Sequence, residues 1–185
     1  TDQSGTADLG NTFRGVSITT GNDNQIGGLL PAARNLISGN DGAGVVIFCC
    51  GASRNFVQGN YIGTRHDGIA ALPNEDGISI SGSASDNVVG GIGGAGNLIS
   101  GNNVSGVHIT GDGSHNLVQG NIIGLNASGD APLRNGDQGI LIDGQTGTEV
   151  GATVAEGRNV ISANHIGVLI SGDPTTGNIV QGNYL

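Results

Sequence analysis

The chain has 185 residues, 37 of them glycine, and a net charge of −9 at pH 7. A surface this acidic repels phosphate backbones and anionic headgroups, so we expect no nucleic-acid partner and no membrane partner. No apolar run reaches transmembrane length, and we therefore expect no membrane insertion. Apolar residues make up 36% of the chain, and Ile and Val recur regularly, which favours a buried core over disorder.

Internal repeats dominate the sequence. Gly-Val-Ser-Ile begins at Gly15, and short and long intervals alternate between the related tetrapeptides that follow it. One short and one long interval together span 62 residues, and Asn35-Leu-Ile-Ser returns at that spacing. The related tetrapeptides begin at Gly44, Gly77, Gly106, Gly139 and Gly167. A fixed period of this length is typical of a solenoid.

Each interval contains three short runs rich in β-branched residues, of the forms Gly-Val-x-Ile, Asn-x-Val and Asn-x-Ile. Runs of three to five residues between Gly and Asn predict short strands, and no sustained helical period appears. The sequence therefore predicts an all-β solenoid of about six coils, in which equivalent strands of successive coils pair in parallel. We interpret residues 1–185 as one domain, with periods of about 1–63, 64–124 and 125–185, and as a segment of a longer array.

Two predictions about the interior follow from stacking equivalent positions. The alternate Val and Ile residues of the first run should form inward columns, and recurring asparagines at two corners should hydrogen-bond as ladders. The inward pairs are Val16/Ile18, Val45/Ile47, Ile78/Ile80, Val107/Ile109, Ile140/Ile142 and Val168/Ile170. The ladder residues are Asn55, Asn116 and Asn178 at one corner and Asn60, Asn121 and Asn183 at the next.

Polar residues that face outward are the candidates for chemistry. His108 lies on a first run and Asp143 ends the next one, and both should face outward. His108 aligns with no ionisable residue in other coils, which favours an isolated, exposed histidine. We interpret the acids of the long loops as solvated, with calcium binding as an alternative. These acids are Asp67, Glu75, Asp76, Asp130 and Asp137.

Outward apolar residues are the candidates for partner contact. Such residues need cover, either from the loops or from another chain. The candidates are Val46, Phe48, Leu141, Leu169, Tyr61 and Tyr184. The adjacent Cys49 and Cys50 align with Thr19-Thr20, Ser81-Gly82 and Thr110-Gly111. We expect a local variation there and no conventional disulfide, because neighbouring residues rarely meet disulfide geometry.

The recurring segments resemble the right-handed parallel β-helix proteins of the pectin-lyase-like superfold, and in particular the repeat arrays of large exported bacterial proteins. Asn97-Leu-Ile-Ser-Gly-Asn, Gly106-Val-His-Ile-Thr-Gly and Asn116-Leu-Val-Gln-Gly-Asn carry the resemblance, which covers nearly the whole chain. It implies a right-handed coil and an extracellular or cell-surface location.

The superfold hosts lyases, hydrolases, adhesins and stalks, so the resemblance alone does not choose a function. Because no coil gathers convergent acids and bases, the sequence favours a non-enzymatic scaffold, stalk or adhesin-like module, able to self-associate or stack end to end. The alternative is a polysaccharide lyase, a hydrolase or a carbohydrate-binding module. Lyases of this superfold use outward-facing carboxylates, so the resemblance implies His108 and Asp143 as candidate carbohydrate contacts. The sequence assigns no catalytic, cofactor-binding or metal-binding residue.

Overall fold

The computed structural model describes all residues, 1–185, and forms a parallel β-solenoid of about six coils. As the sequence predicted, the coils stack in three parallel sheets; each of the first five coils contributes one strand to every sheet, and the sixth contributes to the first two. The first sheet contains β1 (Val16–Thr19), β4 (Val45–Phe48), β7 (Ile78–Ser81), β10 (Val107–Thr110), β13 (Gln138–Asp143) and β16 (Ile166–Ser171). The second contains β2 (Gln25–Gly27), β5 (Phe56–Gln58), β8 (Val88–Gly90), β11 (Leu117–Gln119), β14 (Glu149–Gly151) and β17 (Ile179–Gln181). The third contains β3 (Leu36–Ile37), β6 (Tyr61–Ile62), β9 (Leu98–Ile99), β12 (Ile122–Ile123) and β15 (Val160–Ile161).

The register of the first sheet confirms the predicted inward columns. Ile47 pairs with Ile80, Ile80 with Ile109, and Ile109 with Ile142. All four isoleucines are fully buried in one continuous cluster of 20 Val, Ile and Ala side chains. β-branched side chains have few rotamers and fit a pleated surface, so identical residues pack well on one another from coil to coil. Each buried Val or Ile contributes about 1.5–3 kcal/mol relative to exposure.

The long-coil loops fold back over the outer face of the third sheet. Two of them form small antiparallel turns, closed by the bridges Thr64–Ala71 and Leu125–Pro132. The loops also bond to one another, since the Ala127 N–H donates to the Gly68 carbonyl at 2.9 Å. Gly68 has φ +68, and a β-carbon there would lie 2.9 Å from Leu98 and 3.0 Å from Tyr61. The loops therefore cover the apolar outer face of β6 and β9.

The short-coil insertions differ between periods. In the first and third periods a single 3₁₀ turn, at Pro31–Ala33 and Ala155–Gly157, precedes an arginine. Arg34 stacks on the Tyr61 ring at 4.0 Å, and Arg158 stacks on the Tyr184 ring at 4.3 Å. The chain contains no helix long and apolar enough to cross a membrane.

Candidate functional site

Asparagine side chains form three ladders along the solenoid, one at each corner. The first ladder precedes the strands of the second sheet, the second ladder those of the third sheet, and the third ladder those of the first sheet. The second ladder precedes the strands of the third sheet and runs without interruption. Its five Nδ2-to-Oδ1 hydrogen bonds measure 2.9–3.2 Å. The ladder consists of Asn35, Asn60, Asn97, Asn121, Asn159 and Asn183. Asn60, Asn121 and Asn183, which the sequence analysis placed at this corner, are thus alternate rungs.

Each inner rung of the second ladder is fully hydrogen-bonded. The Oδ1 of Asn97 accepts from both the N–H and the Nδ2 of Asn60, at 3.0 and 3.2 Å. Its Nδ2 donates to Asn121 Oδ1 at 2.9 Å and to the Val57 carbonyl at 2.8 Å. A buried amide has two donor hydrogens and two acceptor sites, and all four are used here. One side chain therefore ties its own coil to the coil on either side.

The third ladder precedes the strands of the first sheet, and the sequence analysis missed it. Its five Nδ2-to-Oδ1 bonds measure 2.7–3.0 Å. The ladder consists of Asn11, Asn40, Asn74, Asn102, Asn135 and Asn164. The signal was present, because Asn40, Asn102 and Asn164 recur at the 62-residue period. These residues lie outside the three short runs that predict the strands of each coil.

The first ladder precedes the strands of the second sheet and is interrupted in the fifth coil. Asn24, Asn55, Asn87 and Asn116 form a regular run, but Thr148 occupies the next position. Gln145 reaches into the gap, and its Oε1 accepts from Asn116 Nδ2 at 2.9 Å.

Gln145 does not satisfy every hydrogen-bonding group around the missing asparagine. The Thr148 hydroxyl is buried and has no partner, and the Asn116 N–H forms no hydrogen bond. Asn178 accepts instead from the Thr148 N–H at 2.7 Å and donates to the Gln145 carbonyl at 3.0 Å. Asn178 is therefore separated from Asn116 by a coil that lacks the asparagine.

His108 is not the isolated, exposed histidine that the sequence suggested. Its Nδ1 lies 3.3 Å from Asp76 Oδ2, and the two side chains are 28% and 16% exposed. The hydrogen bond to Asp76 raises the pKa of His108, burial opposes this, and the charges of Asp76 and Asp143 add to the rise. Asp76 is also not a solvated loop acid, because its Oδ1 accepts from the Ser105 N–H at 2.9 Å. The alignment missed the pair because Asp76 belongs to a long loop and not to the strand column.

Asp143 lines a cavity of about 540 Å³ at the corner between the first and second sheets. Its walls are aspartates, hydroxyl side chains and backbone from the fourth to sixth coils. The lining residues are Thr110, Gly111, Asp112, Gly113, Asp143, Gly144, Thr146, Asp173 and Pro174. The arrangement offers acceptors and hydroxyls to a polar ligand. Asp143 pairs in register with Thr110, whereas His108 pairs with Leu141, so His108 does not line this cavity.

The candidate partner-contact residues differ in accessibility. Val46 is only 3% exposed and offers little surface to another chain. Phe48, Leu141, Leu169 and Tyr61 are half-buried, and Arg14 lies over the Phe48 ring at 5.0 Å. Tyr184 is exposed, and its hydroxyl accepts from Arg158 at 2.5 Å.

The remaining loop acids are dispersed. Asp130 accepts hydrogen bonds from Asn126 and Ser128, which lower its pKa. No group of three or more His, Cys, Asp or Glu side chains converges closely enough to hold a metal ion.

The cysteines occupy a different register from the one that the sequence predicted. Phe48 pairs with both Thr19 and Ser81, so Cys49 aligns with Thr20 and Gly82. The predicted register was wrong by one residue, because the turn between β4 and β5 is longer than the equivalent turns of the neighbouring coils.

These features together define a parallel β-solenoid protein whose coils are joined by buried amide ladders. Comparisons with protein-family models, with curated proteins and with solved structures found no match to this chain.

Proposed function

We propose that this chain is a non-enzymatic extracellular scaffold, a stalk or adhesin-like repeat module of a large exported bacterial protein. We place it with the right-handed parallel β-helices of the pectin-lyase-like superfold. The observation that carries the proposal is the second ladder, in which every inner asparagine uses all its hydrogen-bonding capacity to join three coils. Coils joined in this way make an extended rod, whose six coils span roughly 29 Å at the spacing of paired strands.

The rod shape alone would not separate a scaffold from a carbohydrate-active enzyme, so activity must be tested directly. The full chain should be incubated with a panel of acidic and neutral polysaccharides, with and without calcium, while reducing ends and unsaturated products are measured. We expect no product on any substrate. Product that is lost in an Asp143→Asn or His108→Gln variant would contradict the proposal and favour a lyase or hydrolase.

Self-association of the isolated 185 residues is part of the proposal. Ile170 and Val180 belong to the inward columns, and in the sixth coil they are 42% and 38% exposed. Apolar surface of this kind is covered well by the matching columns of another coil. In a longer array the next coil would supply this cover, and between copies of these 185 residues we expect end-to-end association to supply it.

Light scattering over a range of concentrations tests this association. We expect the mean mass to rise with concentration for the natural chain and to stay at the monomer value for Ile170→Lys. Ile69→Lys is the matched control, since Ile69 is an exposed isoleucine in a loop. A chain that is monomeric at every concentration, or an Ile69→Lys variant that dissociates equally, would refute end-to-end stacking.

Carbohydrate binding without catalysis is the second candidate, and the cavity around Asp143 favours it. Carboxylates and hydroxyls such as those of Asp143, Thr146 and Asp173 can hydrogen-bond to sugar hydroxyls. The net charge of −9 favours neutral or cationic sugars over uronic acids. Calorimetric titration with neutral oligosaccharides tests this, and Asp143→Asn should weaken any binding while Asp67→Asn should not.

A further inference from the structure

The turn after β4 brings two thiols together in the second coil. Cys49 is half-buried, Cys50 is exposed, and their Sγ atoms lie 2.8 Å apart. Both residues have left-handed backbone, with φ +73 at Cys49 and +24 at Cys50. This conformation turns two adjacent side chains toward each other, whereas neighbours in a strand point to opposite faces.

The backbone at Cys49 would suit glycine better. The aligned position is glycine in four other coils, namely Gly82, Gly111, Gly144 and Gly172, all with positive φ. A side chain in this region is strained, and strain that the surrounding fold maintains is a reason to look for function. The fold holds the turn in place, because the Cys49 N–H donates to Ser81 and the Gly51 N–H donates to Ser83 in the next coil.

We propose that Cys49 and Cys50 form a redox-modification site that closes reversibly to a disulfide between adjacent residues by exchange with small-molecule disulfides. One thiolate attacks the small disulfide, forms a mixed disulfide and releases one small thiolate. The second cysteine then attacks the protein sulfur of the mixed disulfide and expels the other small thiolate. The two protein thiols are oxidised, the small disulfide is reduced to two thiols, and these take up the two protons.

The geometry favours ring closure over capture of a second molecule. The resolving sulfur already touches the attacking sulfur, so closing the ring requires no chain motion beyond the turn. Adjacent α-carbons lie about 3.8 Å apart, closer than in ordinary disulfides, and the resulting strain makes the bond easy to reduce. Shared hydrogen bonding with Cys49 raises the pKa of Cys50, so exchange should quicken as the pH rises.

The test is redox titration of the full chain in glutathione buffers, followed by acid quenching, alkylation and intact-mass measurement. The natural chain should pass from two alkylated thiols to none, lose two hydrogens, carry no glutathione and remain monomeric on a non-reducing gel. Cys49→Ser and Cys50→Ser are the matched controls, and each should retain one glutathione. A natural chain that carries glutathione or forms disulfide-linked dimers would overturn the proposal.

A second measurement asks whether the fold builds the site. The same titration in urea breaks the turn but leaves the two cysteines adjacent. We expect the equilibrium constant for ring closure to be at least about tenfold larger in the folded chain, because folding pre-organises the sulfurs. Equal constants would show that the site depends on sequence alone and would refute a site built by the fold.

Discussion

Asparagine recurs at the corner before the third sheet and at the corner before the second sheet, but only the first of these corners has it in every coil. The second ladder keeps asparagine in all six coils, and each inner amide is fully bonded. The first ladder has Thr148 in the fifth coil, and there Gln145 replaces only part of what an asparagine supplies. An asparagine of a ladder therefore satisfies hydrogen-bonding groups of the adjacent coils as well as its own, since the loss of one leaves groups unpaired in two coils.

The physical reason is the number of partners that a buried amide needs. An asparagine at this corner accepts hydrogen bonds from the preceding coil and donates one to the following coil. Gln145, three residues before the missing asparagine, supplies the acceptor but not the donor to the following coil. The Asn116 N–H and the Thr148 hydroxyl remain unpaired. Unpaired buried groups cost free energy, so the fifth coil is the weaker joint of the solenoid.

The largest effect should come from breaking the regular ladder with Asn97→Ala. This change removes four hydrogen bonds, leaves the Asn60 N–H without a partner, and takes one donor from each of Asn121 Oδ1 and the Val57 carbonyl. We expect the free energy of unfolding to fall by about 3–5 kcal/mol, measured by urea denaturation. Asn103→Ala is the control, because Asn103 is exposed and its side chain forms no hydrogen bond. An effect no larger than that of the control would show that the ladders are not stabilising.

Gln145→Ala should weaken the irregular ladder by a smaller amount. It removes the Oε1 acceptor of Asn116 Nδ2, which keeps its hydrogen bond to the Ala84 carbonyl but has its other N–H left buried without a partner. We expect a loss of about 1–2 kcal/mol in the free energy of unfolding.

A double variant sharpens the same comparison. Alanine stands at the position of Gln145 in the second and third coils, as Ala52 and Ala84. Adding Thr148→Asn to Gln145→Ala therefore recreates the regular corner and should restore at least the stability of the natural chain. The double-mutant cycle measures the coupling between the two positions. Additive losses would contradict the view that Gln145 substitutes for a missing rung.

Much of the fold could be predicted from the sequence because its determinants repeat. Val45, Ile78 and Val107 recur in one motif, and their parallel register follows from stacking like on like. The ladder residues Asn60 and Asn121 could be placed for the same reason. The 62-residue period does not place Asn87 and Asn97 in the same ladders, because it relates alternate coils, whereas the hydrogen bonds join adjacent coils and span 32 and 24 residues.

The candidate site was less predictable because it depends on residues that do not repeat. Asp76 reaches His108 from a loop, and nothing in the strand pattern places a loop carboxylate beside a strand histidine. The substitution of Gln145 for a missing rung could likewise not be predicted, since no other coil has a glutamine there. Contacts between long side chains and loops require three-dimensional positions that periodicity does not supply.

The pair of His108 and Asp76 should make the free energy of unfolding depend on pH, whereas the asparagines of the second ladder do not titrate. A histidine whose pKa is raised by folding stabilises the protein fully below its unfolded pKa, and this contribution disappears as the pH rises through the folded pKa. The natural chain should therefore exceed His108→Gln in stability near pH 6 and lose part of that advantage by about pH 8. Urea midpoints across this range measure the difference, and Asp76→Asn should remove it. A difference that does not change with pH would refute the ion pair.

The smallest effect, and one of opposite sign, is expected for Thr148→Val. The Thr148 hydroxyl is buried and unpaired, so a methyl group of similar size removes the cost of burying it without opening a cavity. We expect no loss of stability and a gain of up to about 1 kcal/mol in the urea experiment. Thr64→Val is the matched control, because Thr64 is equally buried but its hydroxyl donates to the Arg65 carbonyl at 2.9 Å, and it should lose stability. Equal losses for both variants would mean that Thr148 has a partner at this corner, and the contrast between the regular and interrupted ladders would then be smaller than their geometry implies.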